Sequence, residues 1–152
     1  MSWLNGTWPK LIRIGDAVEK KWWNELEPER SGVYRLIALD ASGNVMPLNR
    51  VCGTDETGTL YIGESDRPLL NRLGSLVKTH HPDYTSKPHR RLSIPLAKRF
   101  PADRLAITWE YTEVPRQREA ELLMAYEDQF GELPPNNAQR SVVTRAVTQQ
   151  TD

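Results

Sequence analysis

Apolar positions along the chain change period several times, and each change predicts an element. Over residues 31–40, Val33, Arg35, Ile37 and Leu39 alternate with Tyr34, Leu36 and Ala38, a two-residue period rich in β-branched and aromatic side chains that predicts a strand. Ala41-Ser42-Gly43-Asn44 supplies turn chemistry. Residues 45–51 predict a further piece of strand, 53–58 a polar turn, and 59–63 a short strand that pairs with the first as an antiparallel hairpin with an elaborated connection. Leu105, Ile107, Trp109 and Tyr111 repeat the period in a third strand.

The helical period appears elsewhere. Asp16 as a cap, followed by Ala17, Val18, Trp22, Trp23 and Leu26, predicts an amphipathic helix over 16–27. Pro68 suits a first turn, and Leu69, Leu70, Leu73, Leu76 and Val77 form one stripe through residue 78. A short helix over 92–100 requires Pro95 in its first turn. Residues 116–130 form a helix stopped by Gly131 and Pro134-Pro135. The order predicts an α+β domain: a small three-stranded, mainly antiparallel sheet flanked by helices, with an extra N-terminal helix. The expected organisation is an extension over 1–30, the domain over 31–138, and a polar tail over 139–152.

A chain of 152 residues with 38% hydrophobic content supports one ordinary core. It holds no apolar run long enough to span a bilayer, and its first ten residues lack the features of a secretory signal, so a cytoplasmic protein without a membrane partner is expected. Cys52 is the single cysteine, which rules out an internal disulfide and a zinc ribbon. The 20 basic residues balance 20 acidic ones, yet Lys78, Lys87, Arg90, Arg91, Lys98, Arg99 and Arg104 cluster against only Asp83 and Asp103. His80, His81 and His89 lie among them. Lys78, His80, His81, Lys87, Arg90 and Arg91 are therefore candidate phosphate contacts, with a solvated surface as the plain alternative.

On the last helix, at about 100° per residue, Leu122, Leu123, Tyr126 and Phe130 fall within about 60° of Glu119. Glu119 thus sits inside the apolar stripe, whereas Glu121 points away. A carboxylate there needs a cation or hydrogen-bond donors, and a metal ion or an arginine is the natural partner. Arg72 flanks the leucine stripe of the earlier helix, where its stem packs and its guanidinium suits two phosphate oxygens at once. Tyrosines in strands most often serve packing. A phenol titrates near 10, so acting as a base needs a nearby cation.

Gly32-Val33-Tyr34 on the first strand and Tyr61-Ile62-Gly63 on the second, about 27 residues apart and followed by a helix with an arginine, resemble the paired signature of the GIY-YIG nuclease family. The resemblance extends to Glu119 in Glu-x-x-Leu-Leu-x-x-Tyr and to Asn136 or Asn137, so it covers residues 32–137. It implies a divalent-metal-dependent endonuclease that hydrolyses DNA phosphodiesters. Tyr34, Tyr61, Arg72 and Glu119 would be the catalytic residues, and Glu119 would hold a single Mg²⁺ or Mn²⁺, with Glu121 as runner-up. One tyrosine would help to deprotonate or orient water, and Arg72 would face the phosphate, with Arg67 as a lesser substitute. Asn136 or Asn137 would bond backbone near the site. Three features depart from the family pattern. Glu64 follows Tyr61-Ile62-Gly63 directly, Leu76 stands where relatives carry a histidine or tyrosine, and Tyr61 and Arg72 lie one residue further apart than usual. Glu64, Leu76 and the net charge of zero favour the alternative, a catalytically weak or inactive module of the same fold that binds nucleic acid or a protein partner.

Overall fold

The computed structural model describes residues 2–9, 11–80 and 100–137, the side chains of Thr79 and His80 excepted. His81, Lys87, Arg90 and Arg91, all of the expected 92–100 helix except Phe100, and the tail over 139–152 lie outside the described residues.

The fold class is α+β, built on an antiparallel sheet. Strand β2 (Gly32–Ala38) lies between β5 (Thr59–Ser65) and β6 (Leu105–Tyr111), and all seven of its residues are buried. A strand flanked on both edges and covered on both faces carries mainly apolar residues, and in this one the buried Arg35 is the charged exception. The expected three strands become four, because β1 (Ile12–Arg13) pairs Ile12 with Ile107 on the outer edge of β6. Residues 53–58, expected as a turn, instead contribute β4 (Gly53–Asp55), which pairs with β3 (Leu48–Arg50) in a separate hairpin. No apolar alternation announces this hairpin. It is tied down by ionic anchoring, with Arg50 Nη2 donating to Glu132 Oε1 at 2.6 Å and the Val51 N–H donating to Glu132 Oε2 at 2.7 Å.

The expected helix over 16–27 does not form as one piece. A four-residue helix α1 (Ile14–Ala17) gives way to a 3-10 turn at Trp22–Glu25, and Lys21 between them is left-handed at φ 50°. Packing overrides the local period here. The bend brings Trp22 and Leu26 into the core while Trp23 stays exposed.

The two longest helices among the described residues cover opposite faces. Helix α2 (Leu69–His80) buries Leu69, Leu73, Leu76 and Val77 with Tyr34, Leu36 and Tyr61. Helix α3 (Pro115–Phe130) buries Leu122, Tyr126 and Phe130 with Val33 and Ile62. It begins with Pro115 and ends at Gly131, whose φ of 77° lets its N–H reach Glu127 O at 2.8 Å. No helix among the described residues is long and apolar enough to cross a membrane.

Candidate functional site

Antiparallel register sets Tyr34 opposite Gly63 and Leu36 opposite Tyr61, so both tyrosines project from the face that α2 covers. Their ring centroids are 6.1 Å apart, inclined at 51°, and both residues are fully buried. The two glycines of the signature have separate geometric causes. A Cβ on Gly63 would overlap Cζ and Oη of Tyr34, because the phenol lies across the second strand at that point. A Cβ on Gly32 would overlap the Glu110 carbonyl and come within 2.9 Å of Leu69 Cδ1. Tyr61 Oη is shielded from solvent and has no hydrogen-bond partner among the described residues. A buried hydroxyl left in that state costs about 1–3 kcal/mol.

Arg72 is half-buried on α2 and Glu119 half-buried on α3, so they approach the sheet from opposite faces. The faces meet at the outer edge of β5. There Asn137 grips the strand: its Oδ1 accepts from the Ile62 N–H at 2.9 Å and its Nδ2 donates to Ile62 O at 3.0 Å. Ile62 backbone groups therefore point outward, and by alternation so do those of Glu64. Asn137, one of the asparagine pair, thus bonds this strand.

Helix α3 runs antiparallel to β5. Its Tyr126 donates to Asp55, the last residue of β4, which accepts from the Thr59 N–H at the start of β5; Leu122 lies by Ile62, and Arg118 at Glu110, across β2 from Glu64. Glu119 is about 100° round the helix from Arg118, within the buried stripe and on its β5 side. Glu64 opposes Val33 and thus shares the face under α3. The Oε2 atoms of Glu64 and Glu119 are both shielded from solvent, and that of Glu64 has no hydrogen-bond partner among the described residues. A hard carboxylate oxygen without a donor, as at Glu64, fits Mg²⁺ or Mn²⁺. Among the described residues, no group of three or more His, Cys, Asp or Glu side chains forms a cage. Glu121 has a side chain 56% exposed and accepts from Gln117 Nε2.

The sequence reading missed two polar nodes beneath α3. Asp55 is fully buried and accepts from Thr57 N–H, Thr57 Oγ1, Thr59 N–H and Tyr126 Oη, at 2.5–3.1 Å. Burial first, then the charge of Asp55, pushes the Tyr126 phenol well above its ordinary value. Beside it Arg35, 5% exposed, donates to Thr59 Oγ1 at 2.9 Å and lies under the Trp8 ring at 4.8 Å. Burial lowers the Arg35 guanidinium from its ordinary value to about 10 despite the opposing pull of Asp55. In the second node, Arg118 makes a two-point ion pair with Glu110 at 2.6 and 3.3 Å. Glu110 occupies a polar position of a strand and Arg118 precedes Glu119, the faint signals available in sequence.

Apart from these, a cleft of about 910 Å³ opens along β6, lined by Trp22, Trp109 and Tyr111 together with Arg13, Lys20, Glu25 and Arg30. Arg13 and Lys20 share the carboxylate of Asp16, at 3.6 and 3.5 Å. Of the expected phosphate contacts, Lys78 is exposed near the end of α2. Compared with models of known protein families, with curated proteins and with solved structures, the chain matches none.

Proposed function

We propose that this chain is a GIY-YIG-type endonuclease that hydrolyses DNA phosphodiesters with one divalent ion. The observation that carries the reading is Tyr34 lying across Gly63 and beside Tyr61, on strands whose motif glycines answer to specific close approaches. Glu119 would hold Mg²⁺ or Mn²⁺, with Glu64 able to add a second carboxylate from the same face. When bound, the ion supplies Lewis-acid charge at the phosphate. Arg72 would face two phosphate oxygens and stabilise the charge that grows on them as water adds to phosphorus and a P–O ester bond breaks. Tyr34 or Tyr61 would orient the water or, as a phenolate stabilised by the nearby cations, take up its proton. The basic segment from Lys78 through His80, His81, Lys87, Arg90 and Arg91 would contact flanking phosphates.

Purified protein incubated with plasmid, single-stranded and branched DNA and either ion tests the reading. Cleavage should fall about 10²- to 10³-fold in Glu119→Ala and in Arg72→Ala. Cutting undiminished in both variants would sink the assignment.

A binding module on the same fold is the second reading. Glu64 beside the signature, Leu76 where a proton carrier would stand, the net charge of zero and the cleft along β6 favour it. DNA affinity that persists in protein taking up no Mg²⁺ would select this reading over the nuclease.

A further inference from the structure

The start of α3 lacks the usual local anchors. Val114 at its N-cap makes no side-chain capping bond, and the first turn holds no acidic residue. Tertiary contacts fix it instead. Arg118, in the second turn, donates from Nε to Glu110 Oε1 at 2.6 Å, and from Nη2 to Glu110 Oε2 at 3.3 Å and to the Asn5 carbonyl at 2.8 Å. The Arg118 and Glu110 side chains are only 16% and 14% exposed. The N-terminal segment accommodates the node with Gly6 at φ +93°, where a Cβ would overlap Glu110 Oε2 and come within 2.8 Å of Arg118 Nη2. Three parts of the chain thus converge on one guanidinium: the N-terminal segment, β6 and α3.

Arg118 marks the β6 flank of the buried stripe, and Glu119 follows about 100° on. Fixing the first residue fixes the azimuth of the second. We infer that the Arg118–Glu110–Asn5 node is a positioning device that holds Glu119 toward β5 for divalent-metal binding. The inference rests on the nuclease reading for the role of Glu119. Arg118 would not touch the ion. Its charge is engaged by Glu110, and it acts through the helix, as residues that orient a metal ligand from behind commonly do.

Charge alone and positioning make opposite forecasts for Arg118. By through-space electrostatics, removing the Arg118 cation tightens binding of a cation nearby, whereas removing the Glu110 anion weakens it. By positioning, both removals weaken it. Gly6→Ala disturbs the node without altering any charge and should act in the same direction.

The experiment is calorimetric titration of MnCl₂ into the full chain and into Arg118→Gln, Glu110→Gln, Gly6→Ala, Arg118→Lys and Glu119→Ala. Each is measured below its own melting transition, followed by circular dichroism. Arg118→Gln, Glu110→Gln and Gly6→Ala should each weaken Mn²⁺ binding about 10- to 100-fold, Arg118→Lys should recover part of the loss, and Glu119→Ala should abolish binding. If Glu119→Ala abolishes binding but Arg118→Gln binds as tightly as the unaltered chain, or more tightly, positioning is refuted and the metal site stands. If the unaltered chain takes up no Mn²⁺, or Glu119→Ala retains it, the metal reading falls and carries this inference with it.

Discussion

Gly63 has no side chain because the phenol of Tyr34 occupies its place. Substitution by alanine forces the phenol or the edge strand to move, and overpacking of this kind costs about 1–3 kcal/mol, to be read as a lowered urea midpoint at unchanged slope. The sequence offers the tripeptide but not this reason for it, since the clash is with a residue on another strand. Asn137 is similar: its two bonds reach the backbone of a residue 75 positions away, and nothing local separates it from Asn136. Tyr126 adds a pH dependence. Its folded phenol titrates above the ordinary value of 10, so its contribution is complete below pH 10 and declines above it, where only the unfolded chain ionises. Wild-type stability should therefore fall about 1 kcal/mol further than that of Tyr126→Phe between about pH 10 and pH 11. Urea titrations of both proteins across that interval measure the difference, and parallel curves would refute it.

At the scale of elements, what the sequence conveys depends on whether the element's own pattern or its neighbours hold it. Strands β2 and β6 alternate strongly and sit where the period places them, and α3 ends at the expected Gly131. The hairpin of β3 and β4 carries no comparable pattern, being held by Glu132 beyond the end of α3. The continuous helix over 16–27 fails at Lys21, whose left-handed backbone is costly for any residue with a Cβ. Helical periodicity in that stretch is real, but the buried destinations of Trp22 and Leu26 decide the path. Lys21→Gly relieves the strained conformation at the expense of a more flexible unfolded chain. The net gain should be about 0.5–1 kcal/mol, seen as a melting temperature raised by a few degrees. An unchanged or lower melting temperature would show that Lys21 is held there without strain.

For the whole molecule, the sheet is a partition. The tyrosines and Arg72 belong to one side, Glu119 and Glu64 to the other, and among the described residues the two sides meet at the outer edge of β5. Helical-wheel reasoning places Glu119 on a buried stripe but cannot assign that stripe to a face, because the assignment depends on how α3 crosses the sheet. The N-terminal segment completes the covered side. Trp3 stands edge-on to Tyr126 with centroids 4.9 Å apart, Trp8 covers Arg35, and Pro9 O accepts from Thr108 Oγ1. Read from sequence as an extension ahead of the domain, this segment closes the cluster that α3 makes with Val33 and Ile62. Trp3→Ala should accordingly destabilise the protein as a core truncation does, by about 3 kcal/mol. That is the low end for a buried tryptophan, because the indole Nε1 it removes has no hydrogen-bond partner among the described residues. Chemical denaturation followed by circular dichroism measures the loss. A change under about 0.5 kcal/mol, the scale of an ordinary surface substitution, would mean that the cluster is stable without its N-terminal cover. Since Asn5 lies between Trp3 and Trp8 and accepts from Arg118, loosening this cover should also reach the first turns of α3, where Glu119 is held.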